Sequence, residues 1–489
     1  MARPPIPESR PRRALREWLL PLLALALALA LRLALLGANS GLTMDSALYV
    51  RMSEWLRTGH HEPSPAHHGY PLLVALASAV LPGRELPARV VSLLASLALV
   101  ALTWVVARRR SPAWAAFVPT VVVALHPLLA VYGVAVMTEA PFLALAFAAI
   151  ALLDAGRLRS GGALLGAAWW VRPEAAVLAP VAVLFTRAPW RERALALGVT
   201  AVVALSYSAF LRVEQGHWSL TPKTALVRAP FADARAAEWR LHDDAAFADS
   251  ASLAERVTRD GSAIVRAYPA RLRVHLQRVL EAWNPLLLAG SVLGLLAASA
   301  RGPWLAFVLL PFLYPLLSAP ADLRFAQLAL PALVVPLAHA HARVPARARV
   351  LLVALIAIGG LAWAWSGPAG RLARAFDDGP MPALRGAGQW LAAHSPSEAV
   401  VMDRKSYVPF FAGRRHVQLP DEPLDALLDY AHASGATHLV VEEYVVRSLR
   451  PQLAPLLDSR HMASETRARL VFALRPAPGD GVAVFEIVR

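Results

Sequence analysis

The chain has 489 residues, 57% of them hydrophobic, and a formal net charge of +15. That is too apolar for a soluble protein of this length, and the apolar residues fall in blocks of about 17–25, the length that crosses a bilayer. The basic balance does not point to nucleic acid, because the arginines stand in short clusters between apolar blocks instead of forming one stripe; with no cysteine, disulfides and Cys-ligated metal are excluded too.

In chain order, Met1 to Arg16 carries Arg3, Arg10, Arg12, Arg13 and Arg16, and the apolar run Trp18 to Leu36 follows. The run is longer than a signal-peptide core of about 7–15 residues, and more spans follow it, so it reads as an uncleaved first helix with its N-terminus inside. Asp45 then lies outside, just past the span. Met44, Leu48, Met52 and Trp55 recur at helical spacing, so an amphipathic helix along the membrane surface is expected, capped by Thr43 or Asp45. A carboxylate in a first turn is held ionised by the free N–H groups, and an ionised carboxylate can orient and deprotonate a hydroxyl. Asp45 is a base on that reading and only a cap on the other.

Gly69-Tyr70-Pro71 opens an apolar run that ends at Pro82-Gly83, short enough to be a re-entrant or interfacial helix. Val90 to Ala107 is a full span ending inside at Arg108-Arg109-Arg110; Trp114 to Leu125 returns outward; His126 to Glu139 is a second external turn; Ala140 to Leu153 goes back in. Ala163 to Phe185 is broken by Val171-Arg172-Pro173-Glu174, which predicts two short helices meeting at the break. Ala194 to Leu211 crosses outward, and Arg212 to Arg278 reads as a long polar external loop. Leu286 to Ala300, Trp304 to Leu317, Leu328 to Ala340 and Val350 to Trp365 complete about eleven spans, counting the two half-helices, with the N-terminus in and the C-terminus out by the alternation of Arg clusters.

From Ser366 onward the pattern changes to a soluble domain. Met381 to His394 and Leu424 to His432 read as helices; Ala399 to Met402, His438 to Val441, Leu470 to Leu474 and Val482 to Val488 read as strands, with a turn at Asp480-Gly481. Helices alternating with short strands predict a small α/β domain. Its distance in sequence from the loop acids suggests an accessory fold. Asp377-Asp378 before Gly379-Pro380 reads as a linker turn.

Four segments taken together carry a resemblance: Met44-Asp45-Ser46-Ala47-Leu48-Tyr49 after the first span, Gly69-Tyr70-Pro71-Leu72-Leu73 opening a short helix, Thr138-Glu139-Ala140-Pro141 in the second external turn, and Arg172-Pro173-Glu174 in the broken span. In order and spacing the chain resembles the polytopic C-type-fold glycosyltransferases that use lipid-linked sugars, closest to bacterial members of the protein-mannosyltransferase and aminoarabinose-transferase superfamily. The resemblance runs from about Leu19 to Trp365. It implies a polytopic α-helical membrane protein with a small C-terminal α/β domain. Residues 1–16 would be cytoplasmic, 17–366 the transmembrane domain with external loops at 39–86 and 212–280, and 367–489 extracytoplasmic.

The resemblance also implies the reaction: an inverting transfer of a sugar from a polyprenyl-phosphate donor to an acceptor hydroxyl on a lipid, glycan or protein, at the outer face of the cytoplasmic (inner) membrane. Catalytic roles fall to Asp45 and Glu139. Substrate contacts fall to Tyr49, His67, His68, Tyr70, Arg172, Glu174, Lys223 and Arg324. The phosphate leaving group is already acidic, so it needs positive charge more than a general acid. Two departures stand out. Relatives often carry a second acid after the loop Asp, where this chain has Ser46, which puts a divalent cation in doubt. They often carry a cation before the Pro that opens the short helix, where this chain has His67 and His68.

Each site residue has a plainer reading. Glu139 is either an acceptor or metal ligand or an interfacial acid favoured by its helix start. Arg172 must be paired or face a cavity at membrane depth; Glu174 is the plain partner and donor phosphate the functional one. Arg324 binds phosphate or anchors a span end. His67 and His68 point differently on a regular backbone and do not suit one shared metal. Lys223 reaches the donor or is a solvated loop charge. The rival function is a membrane transporter or flippase, which would use Arg172-Pro173-Glu174 at a broken helix; a third is a non-catalytic assembly or sensing protein working through its α/β tail.

Overall fold

The computed structural model describes residues 10–38, 42–43, 45–59, 66–216, 218–222, 253–297, 302–317, 323–329, 335–340, 345, 347–374, 381–457 and 466–488. They fall in two compact units. One is drawn from Met1–Gly41, His67–Thr221 and Val265–Arg374, the other from Leu42–Ala66, Pro222–Ile264 and Ala375–Arg489. Lys223 and Asp377-Asp378 lie outside the described residues.

The helices run α1 (Arg10–Ala38), α2 (Ser46–Thr58), α3 (Gly69–Ala77), α4 (Leu86–Arg108), α5 (Ala113–Leu125), α6 (Pro127–Val131), α7 (Glu139–Asp154), α8 (Leu158–Val171), α9 (Ala175–Leu184), α10 (Trp190–Gln215) and α11 (Leu253–Ala297). They continue as α12 (Leu305–Leu317), α13 (Leu337–Ala340), α14 (Arg349–Ser366) and α15 (Pro368–Arg374). Five segments among the described residues are long and apolar enough to cross a bilayer: Trp18–Ala38, Leu86–Arg108, Trp190–Glu214, Val265–Leu296 and Arg349–Ser366. Except for α2, these helices belong to the first unit, which takes in α11 from Val265 onward.

Polar side chains lock that unit at its helix crossings. Arg32, fully buried in α1, donates from Nε to Ser96 Oγ at 2.8 Å, from Nη1 to the Ala28 and Ala124 carbonyls at 3.1 and 2.8 Å, and from Nη2 to the Leu129 carbonyl at 3.4 Å. A cation at such a position has to be paired inside the protein, since lipid offers it nothing. Helices α8 and α10 meet closely because Gly162 and Gly166, four apart on one face, leave no Cβ between the backbones; a Cβ on Gly162 would come 2.5 Å from the Ala196 carbonyl oxygen. Thr200 Oγ1 donates to the Gly162 carbonyl at 3.0 Å across the same crossing.

The expected break at residues 171–174 is present. α8 ends at Val171, Arg172 is extended (φ −152°, ψ 144°), and α9 starts at Ala175. Two expectations change. The tract before Arg278, read as part of a polar loop, is helical from Leu253, and Val265 onward is a candidate span. Its charges hide a periodic stripe: Arg271, His275, Val279, Ala282 and Trp283 are all buried and share one helical face. α11 kinks at Asn284, whose φ is 57°. There Asn284 Oδ1 accepts from the Leu286 and Leu287 amides at 3.2 Å, while its Nδ2 donates to the Gly360 carbonyl at 2.8 Å, so Asn284-Pro285 starts the second half as an N-cap and first-turn Pro. Of the expected span Leu328–Ala340, Leu328 and Ala329 belong instead to a 3-10 turn, Leu323–Ala329, and Leu337–Ala340 form the short α13.

The second unit holds α2 and the C-terminal α/β domain. Its further elements are α16 (Met381–His394), β1 (Val400–Asp403), α17 (Tyr407–Ala412), β2 (Arg415–Gln418), α18 (Leu424–Ala433), β3 (His438–Glu442), α19 (Glu443–Ser448), β4 (Ala468–Leu474) and β5 (Val482–Ile487). The sheet order is β2-β1-β3-β5-β4. β1 is parallel to both β2 and β3, whereas β5 runs antiparallel to β3 and β4. Met402, Leu427, Leu439 and Phe485 centre its core. Helix α2 packs against α17 and buries Tyr49, Val50 and Met52, each worth roughly 1.5–3 kcal/mol. It does so within the protein unit, where the sequence suggested a membrane surface; Leu48 and Trp55 are only partly covered.

Candidate functional site

Asp45 sits at the N-cap position of α2, but its carboxylate makes no capping hydrogen bond. The turn is closed instead by Ser46, whose amide donates to the Thr43 carbonyl and whose Oγ accepts from the Thr43 amide, both at 2.8 Å. So Asp45 takes the N-cap position, as expected, but without the expected side-chain cap bond, and the Ser46 bonds shape only the turn that leads into the helix. The Asp45 carboxylate turns to Lys405, whose Nζ lies 3.1 Å from Oδ1; the two side chains are 17% and 13% exposed. Tyr49, one turn on, is buried in α2. Sequence reasoning missed Lys405. The one available signal was that it is one of only two lysines in a chain whose basic residues are otherwise arginine.

Around Lys405 the second unit is densely charged. Asp403 ends β1 and Glu442 ends β3, adjacent parallel strands, and both are buried. Burial first, and then the Glu442 charge, push the Asp403 carboxyl well up; Asp403 Oδ2 accepts from the Val408 amide at 3.2 Å. Burial also pushes Glu442 up, against the pull of Arg404 and Lys405. His416 on β2 is held down to about 4 by burial and then by the Arg51 charge on α2.

The first unit has its own charged cluster at the helix break. Arg172 donates from Nη1 to Glu139 Oε1 at 2.7 Å and to Thr138 Oγ1 at 3.0 Å, from Nη2 to Glu174 Oε1 at 2.7 Å and from Nε to Glu174 Oε2 at 3.1 Å. Thr138 and Glu139 are placed by the start of α7, Arg172 and Glu174 by the α8–α9 break. All three charged side chains are buried, and Glu139 Oε2 has no hydrogen-bond partner among the described residues. Arg324 joins from the 3-10 turn: its guanidinium lies 4.7 Å from the Phe325 ring centre, and that of Arg172 lies 5.9 Å from the same ring. Tyr314 stands against Phe325 with ring centres 5.4 Å apart. Thus Glu139, Arg172, Glu174 and Arg324 come together, with Thr138, Tyr314 and Phe325 as members that sequence reading did not single out.

His67 and His68 are placed differently. His67 bonds through Nδ1 to the Trp169 carbonyl and through Nε2 to Thr221 Oγ1, both at 2.8 Å. His68 reaches Tyr207 Oη at 3.1 Å and Glu214 Oε1 at 2.9 Å. Both ring nitrogens of each are thus engaged by protein groups that tie the start of α3 to α8 and α10. Tyr70 is buried too, its hydroxyl 2.9 Å from the Ala88 carbonyl and 3.0 Å from Ser92 Oγ.

The sequence leaves a divalent cation open. Among the described residues no three His, Asp or Glu side chains gather as metal ligands, and the two motif acids are already engaged, Asp45 by Lys405 and Glu139 by Arg172.

No protein-family model matches the chain, and no curated protein matches it by sequence. Solved structures do. ArnT from Cupriavidus metallidurans bound to undecaprenyl phosphate is similar at a TM-score of 0.62 and 13% identity, over 96% of this chain and 98% of that one. The Archaeoglobus fulgidus oligosaccharyltransferase tethered with an acceptor peptide containing the NVT sequon is similar at 0.58 and 13%, over 96% and 74%. The same enzyme complexed with Zn and sulfate gives 0.57 and 15%, over 95% and 72%. The likeness is one of fold: this is the C-type glycosyltransferase fold, a polytopic helical protein with a small C-terminal α/β domain. ArnT and an oligosaccharyltransferase share this fold, and it is the fold that the four sequence motifs lead one to expect.

Proposed function

We propose that this chain is an inverting glycosyltransferase. It moves a sugar from a polyprenyl-phosphate donor to an acceptor hydroxyl on a lipid, glycan or protein, at the outer face of the cytoplasmic membrane, with the C-terminal domain on that side. The observation that carries this reading is the state of Asp45: it stands at a helix start in the motif matching the family's catalytic loop, is not spent as a cap, and is held by a cation. The neighbours' undecaprenyl phosphate and acceptor peptide support the two substrate classes.

In the proposed reaction the Asp45 carboxylate takes the proton of the acceptor hydroxyl. The oxygen forms a new bond to the anomeric carbon from the side opposite the phosphate. The bond between that carbon and the phosphate oxygen breaks, and its electron pair leaves on polyprenyl phosphate. Arg172 and Arg324 are assigned to the phosphate charge, and Glu139 to orienting Arg172 or the acceptor. Tyr49, His67, His68, Tyr70, Glu174 and Lys223 are assigned by the resemblance as further substrate contacts.

A transporter or flippase would use the same buried ions at the helix break. The test is a comparison of lipids and glycans between a deletion strain and its parent. The deletion strain is expected to lack one sugar-modified product and to accumulate polyprenyl-phosphate sugar. Asp45→Asn at matched protein level is expected to restore the product at roughly a hundredth of the parent rate or less. Full restoration by Asp45→Asn would overturn the base role and leave the transporter reading standing.

A further inference from the structure

We infer that Lys405 is a positioning residue for Asp45, so that the C-terminal α/β domain is part of the working site and not an accessory. This rests on the proposed base role of Asp45.

The argument starts from the sheet. In an open α/β sheet, ligands lie beyond the carboxyl ends of the parallel strands, at the point where the strand order reverses. Here β1 leads to β2 on one side, and the chain then crosses to β3 on the other, so the reversal falls between β1 and β3. The segment leaving β1 there is Asp403-Arg404-Lys405-Ser406, and Glu442-Glu443 leaves β3. What meets this end of the sheet is a piece of the same chain: Asp45 bonded to Lys405, and α2 packed on α17. The domain therefore uses its ligand end on the Asp45 segment.

The surrounding charges explain why Lys405 is a defined holder. Lys405 acts on Glu442 as well as on Asp45, and Asp403 interacts with Glu442. Arg404 is the neighbouring cation on the same turn, Tyr407 opens α17, and Arg51 on α2 acts on His416 of β2. An ammonium is a point charge with three donors, so it can hold one carboxylate oxygen without clamping both in the planar fork of a guanidinium.

The test uses full-length protein in membranes and, as donor, the polyprenyl-phosphate lipid fraction of the parent membranes, with Lys405→Met, Lys405→Arg and Asp45→Asn compared at equal protein level. Lys405→Met is expected to lower kcat roughly ten- to a hundred-fold, the worth of one charge-assisted hydrogen bond, while KM for the donor stays within about twofold. Lys405→Arg restores a cation but with a fork that can clamp both carboxylate oxygens, so it should recover only part of kcat, again at the parent KM. A Lys405→Met chain with the parent kcat overturns the inference. If Asp45→Asn is itself fully active, the base reading has failed first, which separates the two outcomes. Should Lys405→Met not accumulate, Asp45→Cys combined with Lys405→Cys in this cysteine-free chain decides: bridging by a short bifunctional thiol reagent supports the pairing, and two reactive but unbridged thiols refute it.

Discussion

Gly69 lies against the backbone of Trp170, so closely that a Cβ on it would come 2.6 Å from the Trp170 carbonyl carbon and 2.7 Å from the Val171 amide nitrogen. Backbone atoms cannot yield as a side chain can. Helix α3 therefore starts on the last turn of α8, one residue before the extended Arg172. Gly69→Ala should force α3 and that turn apart, at a cost of roughly 1–3 kcal/mol. A lower thermal midpoint of the purified protein in detergent, with a loss of transfer larger than the loss of folded protein, is the expected result. An unchanged midpoint would mean that the two helices are free to separate there.

Arg172 balances two buried carboxylates. Arg172→Met leaves both uncompensated, and breaking a buried pair in this way costs about 3–5 kcal/mol. Replacing the whole triad, Glu139→Gln with Arg172→Met and Glu174→Gln, removes the charges together and should return most of that stability without returning transfer. Thermal melting of the single and triple variants separates the cases. A single variant as stable as the parent would show that water reaches the carboxylates.

A chain ended after Arg374 keeps all the helices of the first unit but strips α2 of the partners it has in the second. We expect it to insert and to bind undecaprenyl phosphate, yet to transfer no detectable sugar. The readouts are carrier-lipid retention on the purified truncated protein and transfer in its membranes. Full transfer by the truncated chain would return the C-terminal domain to the accessory role that its sequence suggests.

The Arg clusters at Arg108-Arg109-Arg110, Arg157 to Arg159 and Arg187 to Arg193 predict an orientation with those loops in the cytoplasm. A reporter fused after Arg159 should read as cytoplasmic and one fused after Arg489 as extracytoplasmic. Both reporters on one side would be incompatible with this orientation.

Much of this was legible in the sequence because membranes impose long, one-signal patterns. Trp18–Ala38 and Leu86–Arg108 announce themselves by length and apolarity, and the Arg172-Pro173-Glu174 break by charge and Pro in mid-block. The tract around Arg271 and His275 did not, because summed charge conceals a buried face that only the periodicity of the helix exposes. Short elements packed by tertiary contacts were missed as well: α17, β2 and α19 are only four to six residues long, too short for a periodic signal. The Asp45–Lys405 pair was beyond reach for a different reason. Its partners stand 360 residues apart, and no local rule connects them.

Arg32 has a bearing on how the protein is made. Its hydrogen-bond acceptors outside α1 lie 64 to 97 residues downstream, at Ser96, Ala124 and Leu129. At synthesis rates of about 5–20 residues per second, Arg32 is made roughly 5–20 seconds before the last of them exists. During that interval α1 carries an unaccompanied cation that lipid does not solvate. The first helix should therefore linger at the insertion machinery, or in the care of a membrane chaperone, until α4, α5 and α6 arrive to release it. The pause is a property of a single side chain, and Arg32→Leu should abolish it even though it leaves three empty acceptors in the finished bundle.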